Sequence, residues 1–221
     1  YGLAASVLPV WLLLAPRDYL STFMKVGTIS LLAVGILIAH PVMSAPAVSQ
    51  FATRANGPVF AGALFPFLFI TIACGALSGF HSLISSGTTP KLLEKEGQTR
   101  LIGYGGMLTE SFVAIMALIT AAILNQHLYF VINSPAAATG SSAATAATYA
   151  NGLGLSGAPI TPAQITAAAT DVGEHSVVSR TGGAPTLALG MSEVLHQVFG
   201  GASMKAFWYH FAIMFEALFI L

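Results

Sequence analysis

Long apolar stretches alternate with short polar ones along the 221 residues of this chain. With about 20 apolar residues needed to cross a bilayer, the pattern predicts six spans: residues 2–15, 20–39, 58–80, 102–124, 186–199 and 202–221. Pro9 and Pro66 fall inside the first and third and are expected to kink them. The predicted fold is therefore all-α, a polytopic transmembrane helical bundle. Residues 125–185, rich in Ala, Ser, Thr and Gly, are expected to form a long, mobile extracytoplasmic loop. Within that loop Thr161, Pro162 and Gln164 make an N-cap, an N1 proline and a capping box, which predicts a short helix over 162–170.

The third span ends unusually. In ACGALSGFHSLISSGTTPK, residues 73–91, an apolar helix passes without interruption into serines, threonines, glycines and a histidine. Backbone that leaves the helix at membrane depth is tolerated only where protein buries it or it lines a wet cavity. Secondary transporters build their sites from such broken helices. The alternative is an ordinary helix that ends in a polar cytoplasmic loop.

Composition narrows the classes. The chain is 55% hydrophobic and 7% charged, with a net charge of +0, against roughly 25% charged residues in soluble domains. A lipid bilayer is an expected partner; nucleic acid, which demands a basic footprint, is not. One cysteine, Cys74, permits no intrachain disulfide. Placing Arg17, Lys25, Lys91, Lys95, Arg100 and Lys205 inside leaves only Arg54 and Arg180 outside, the orientation that basic residues favour. Both ends read as cuts through helices, so further N- and C-terminal helices of the same protein are expected partners.

Polar groups inside predicted spans are the candidate chemistry. Ser78, Gly79, His81, Ser82, Ser85, Ser86, Gly87 and Thr88 would line the break and bind a substrate. Glu110, Glu193 and Glu216 sit in spans where a charge costs on the order of 3 kcal/mol, which makes each a candidate for proton coupling or a structural hydrogen bond. His196 stands three residues after Glu193, on the same helical face. Such a pair can relay a proton or simply brace the helix. The same spacing occurs in di-iron bundles, which need a second copy, so no metal is expected. Arg180 could hold a substrate carboxylate, or pair with Asp171 or Glu174. Lys205, Trp208 and Tyr209 suggest an interfacial anchor. No nucleophile–base pair, phosphate loop or zinc spacing appears, so neither enzyme activity nor a cofactor is expected.

The motifs PVWLLLAPRDYLSTF, LFPFLFITIACG, SGFHSLISSGTTPK, IGYGGMLTESFVAIMAL, SRTGGAPTLALGM and FWYHFAIMFEALFIL closely resemble the carbon starvation protein A family. The resemblance implies a multi-pass protein of the bacterial inner membrane, several times longer than this chain. It implies uptake of peptides, or of pyruvate with protons, on an inverted-repeat fold of the amino acid–polyamine–cation (APC/LeuT-like) kind. SGFHSLISSGTTPK would then be a broken helix of one repeat. The expected function is import of a small carboxylate or short peptide by secondary active transport, probed against two rivals, a channel and a membrane-embedded metalloenzyme.

Overall fold

A computed structural model describes residues 2–9, 11–12, 14–54, 56–59, 65 and 82–220. Most of the third expected span, with Ser78, Gly79 and His81, lies outside the described residues. Every regular element among those described is helical. They fall into two compact units, Tyr1–Ser44 with Met116–Leu221, and Ala45–Ile115.

In the first unit, α1 (Gly2–Val7) is followed by α2 (Leu14–Ala39). The helix begins six residues before the expected start at residue 20, and takes in Pro16, Arg17 and Asp18. A proline in the first turn costs no hydrogen bond, and Thr22 Oγ1 reaches back to the Asp18 carbonyl at 2.7 Å.

The second unit contains the polar segment. Ser82 and Leu83 are helical, Ile84–Thr88 widen into a π turn, and α3 (Thr89–Leu92) continues from it. Unwound backbone was expected at Ser82–Thr88; the segment is instead helical. The serines explain this. Ser85 Oγ and Ser86 Oγ donate to the Ser82 carbonyl at 3.1 and 2.8 Å, and such back-bonding bends a helix without ending it. The wide turn is closed by the Thr89 N–H on the Ile84 carbonyl.

Helix α4 (Gln98–Ile123) starts in the second unit, and its last turns, from Met116, belong to the first. Four helices then follow: α5 (Gln126–Asn133), α6 (Ala136–Thr139) and α7 (Ala143–Gly152), where a mobile loop was expected, and α8 (Pro162–Asp171), where a short helix was. Alanines at 143, 146, 147 and 150 recur at helical spacing, and the last three are buried together with Ile165, Ala169 and Val172. The ends are capped from the sequence: Asn125 accepts from the amides of His127 and Leu128, and capping boxes join Ser142 to Thr145 and Thr161 to Gln164. Asn151 clamps the turn after α7, donating to the Ile160 carbonyl at 2.9 Å and accepting from its amide at 2.8 Å.

The core of the first unit is α9 (Ala184–Val198), whose Ala188, Leu189, Gly190, Met191, Ser192, Val194 and Leu195 are all buried. Small residues allow its neighbours to come close. A Cβ on Gly35 of α2 would lie 3.1 Å from Val194, and one on Gly190 would lie 2.2 Å from the Thr120 carbonyl oxygen of α4. A one-turn 3₁₀ segment, Ala202–Met204, leads into α10 (Lys205–Ile220). Tyr209, Ala212 and Phe215 form the buried stripe of α10.

Candidate functional site

Helix α4 has two unlike faces. Gly103, Gly106, Ala114 and Ala117 recur at three- and four-residue steps around Glu110, while Leu101, Leu108, Phe112 and Ile115 occupy the other side. Glu110 is the thirteenth of the 26 residues of Gln98–Ile123, which puts its carboxylate at mid-helix, and it is exposed within this chain. The neighbouring hydroxyls turn inward: Thr109 Oγ1 donates to the Gly105 carbonyl at 2.8 Å and Ser111 Oγ to Met107 at 2.9 Å. Thr120, further along the helix, is buried against Gly190.

A second group of charges gathers where α8, α9 and α10 meet. The three-residue spacing does bring Glu193 and His196 together, with Nε2 3.1 Å from Oε2. The other carboxylate oxygen, Oε1, accepts from Lys205 Nζ at 2.5 Å, and Nζ also lies 3.5 Å from Asp171 Oδ2. Lys205 was expected to reach outward as an interfacial anchor; its side chain is only 12% exposed. The turn after α9 causes this. Gly200 and Gly201 take φ of 106° and 70°, values that glycine adopts without strain. The Gly201 amide closes on the His196 carbonyl at 2.8 Å, so the chain folds back and brings the first residue of α10 over the last turns of α9. Trp208 Nε1 fastens the turn by donating to the Phe199 carbonyl at 2.9 Å, and Tyr209 is buried rather than part of an outward belt. His196 Nδ1 is buried without a hydrogen-bond partner.

Arg180 pairs with Glu174 at 2.9 Å, one of the two partners expected for it, while Asp171 turns to Lys205. The guanidinium remains 45% exposed. Its loop is held by Ser179, whose amide donates to the Val131 carbonyl at 2.9 Å and whose hydroxyl lies 2.5 Å from Thr139 Oγ1. Ser82, Ser85, Ser86, Gly87 and Thr88 line the π turn in the second unit. Glu216 lies on α10, with its side chain outside the described residues. Lys205 and Asp171 are the members of the charge group that sequence reasoning missed. Among the described residues no three His, Cys, Asp or Glu side chains come together as metal ligands.

Two helices, Pro16–Ala39 and Gln98–Ile123, are long and apolar enough to cross a membrane. Leu101, Tyr104, Leu108 and Leu118 of α4, and Phe23, Leu37 and Ile38 of α2, are exposed. The core helix of a water-soluble domain would bury such residues. A helical protein with apolar helices of membrane length is thus the class defined. The chain belongs to the family described as carbon starvation protein CstA, whose profile matches residues 1–221. It is 76% identical over its whole length to the peptide transporter CstA of Mycobacterium tuberculosis H37Rv, covering 29% of that protein. It is 61% identical to the peptide transporter CstA of Escherichia coli K12, covering 32%. Identity to the pyruvate/proton symporter BtsT of Escherichia coli K12 is 52%, covering 33%. The chain therefore spans about a third of the length of these curated relatives. No solved structure matches it.

Proposed function

We propose that this chain is part of a secondary active transporter of the bacterial inner membrane, which imports a small carboxylate such as pyruvate, or short peptides, together with protons. The single observation that carries the reading is membership of a family whose relatives are named as peptide transporters and a pyruvate/proton symporter. The sites add physical support. Glu110 is a carboxylate halfway along an apolar helix of membrane length. Leaving it charged in hydrocarbon is expensive, so a proton or a polar neighbour must accompany it. Glu193 and His196 provide a second proton-handling pair, and Glu216 a third candidate.

For the substrate, the π turn and its serines remain the favoured polar surface, with Ser78, Gly79 and His81 just upstream. Single π turns recur at functional sites because they re-aim side chains and loosen the hydrogen-bond ladder. Arg180 is reserved for a substrate carboxylate, which would have to displace Glu174 from a bidentate-capable guanidinium. An inverted-repeat bundle, with the π turn at Ile84–Thr88 as its local irregularity and the long connector on the outer side, completes the proposal.

Uptake by proteoliposomes holding the full-length protein tests this. Labelled pyruvate and labelled dipeptides are compared with and without an inward pH gradient. Accumulation above the outside concentration, only with the gradient, is the expected result; passive, non-saturating flux would indicate a channel instead. Glu110→Gln should abolish accumulation while leaving exchange across a zero gradient. Full accumulation by that variant would remove Glu110 from the coupling.

A further inference from the structure

We propose that His196, Glu193, Lys205 and Asp171 form a one-proton site, loaded at His196 Nδ1, with Lys205 as the residue that positions Glu193. The inference rests on the proton-coupled reading above and picks out one of its candidate pairs. Charge counting leads to it. Two carboxylates and one ammonium lie within 2.5 and 3.5 Å of each other through Lys205 Nζ, which leaves the group one negative charge in excess while the imidazole is neutral. A single proton on His196 balances it.

Geometry names the atom. A carboxylate only accepts, so the proton of the neutral ring sits on Nε2, which faces Glu193 Oε2 at 3.1 Å. Nδ1 is then a bare acceptor, and it is buried without a partner. Its lone pair is the one ring position left to take a second proton. Once charged, the imidazolium shares Glu193 with Lys205, and Lys205 has a second carboxylate in reach on α8. Loading therefore moves Lys205 toward Asp171 and ties the connector helix α8 to α10.

Among the described residues, the ion pairs made by the group are those within it, and His40 and His175 lie outside the packed helices. Arg17, Asp18 and Lys25 lie in the first half of α2, which meets α9 at Gly35. The last turns of α4 contribute Thr120. Helix α5 carries His127 and Tyr129, and Ala202–Met204 carries nothing titratable. His210 on α10 turns Nδ1 to the Ala206 carbonyl at 3.0 Å, Glu216 lies further along that helix, and Glu174 is held by Arg180.

Histidine ¹⁵N resonances of the full-length protein in lipid, followed against pH, provide the test. One titrating ring should vanish in His196→Gln. Its midpoint should rise in Lys205→Met, which makes the group more negative, and fall in Asp171→Asn, which makes it less so. A structural network would show the same Coulombic shifts, so proton-driven accumulation is read on the same variants and should be lost in His196→Gln. Absence of that resonance, a midpoint indifferent to both substitutions, or displacement by sodium at fixed pH overturns the proposal. The Asp171 side chain is 55% exposed, so Asp171→Asn should fold, and it decides alone if Lys205→Met does not. A titration as expected, with uptake insensitive to the pH gradient, would leave the site standing and sink the transport reading.

Discussion

Helices α4 and α9 are built from similar residues and do opposite things with them. Both place a glycine and a glutamate at helical spacing along one face. In α9 that face is closed: Gly190 touches the backbone of Thr120, Gly35 of α2 packs on Val194 and Leu195, and Glu193 is held by a lysine and a histidine. In α4 the face is open: nothing lies within 4 Å of a Cβ placed on Gly103 or Gly106, and Glu110 is exposed. The same alphabet thus encodes a finished helix–helix contact in one place and an unfilled one in the other. Among the described residues, eight of the 15 in α9 are buried, whereas Met116 and Thr120 are the buried residues of the 26 in α4.

The sharpest way to break this contrast is to add one methyl group to each helix. Gly190→Ala forces a carbon to within 2.2 Å of a backbone oxygen, which neither helix can relieve by rotating a side chain. A loss of about 3 kcal/mol or more is expected, at the upper end of overpacking, read as a collapse of the thermal unfolding midpoint in detergent. Gly103→Ala meets no atom in this chain and should be neutral, or stabilising by up to about 1 kcal/mol from helix propensity. If Gly103→Ala proves costly in the full-length protein, another helix lies on the Glu110 face there. Equal effects at both glycines would end the distinction.

How much of this was legible beforehand depends on how residues signal. The apolar pattern gave 102–124 and 186–199, within a few residues of α4 and α9, because apolar runs mark helices directly. The helix over 162–170 was legible from its capping box. The rest of the connector was not, since alanine, serine and threonine spell a linker as readily as a helix, and only packing of Ala146, Ala147 and Ala150 against neighbours decides. Lys205 misled for a different reason. Beside Trp208 and Tyr209 it matches an interfacial belt, and the reversal at Gly200–Gly201 that turns it inward is a tertiary event. For Ser82–Thr88, polar composition reads as a break, whereas the serine hydroxyls serve the helix itself.

A middle-sized effect sharpens the comparison at hydroxyls. Thr161 caps α8, accepting from the Gln164 amide at 3.3 Å while Gln164 Oε1 accepts from the Thr161 amide at 2.8 Å. Thr161→Ala should cost about 1 kcal/mol. Thr109 on α4 bonds only to a carbonyl of its own helix, so Thr109→Ala should stay within about 0.5 kcal/mol. Reversal of that order would show that the connector helices are not the firm part of the molecule.

The smallest effect concerns protons in the connector. His127 on α5 is buried, and burial lowers its pKa below the ordinary 6.5 by disfavouring the charged ring. The unfolded chain therefore takes up a proton at higher pH than the folded one. By linkage the contribution of His127 to stability is intact above about pH 6.5, and declines as pH falls through that value toward the folded one. Below the folded value the loss is complete and no longer grows. The difference in unfolding midpoint between the parent protein and His127→Gln, followed from pH 8 to pH 5, isolates this group from every other titrating residue. That difference should shift against the parent only on the acid side. No pH-dependent shift would mean that α5 is open to water and that the connector resembles the exposed half of α4 after all, while a shift of the opposite sign would mean that an anionic group holds the charged ring.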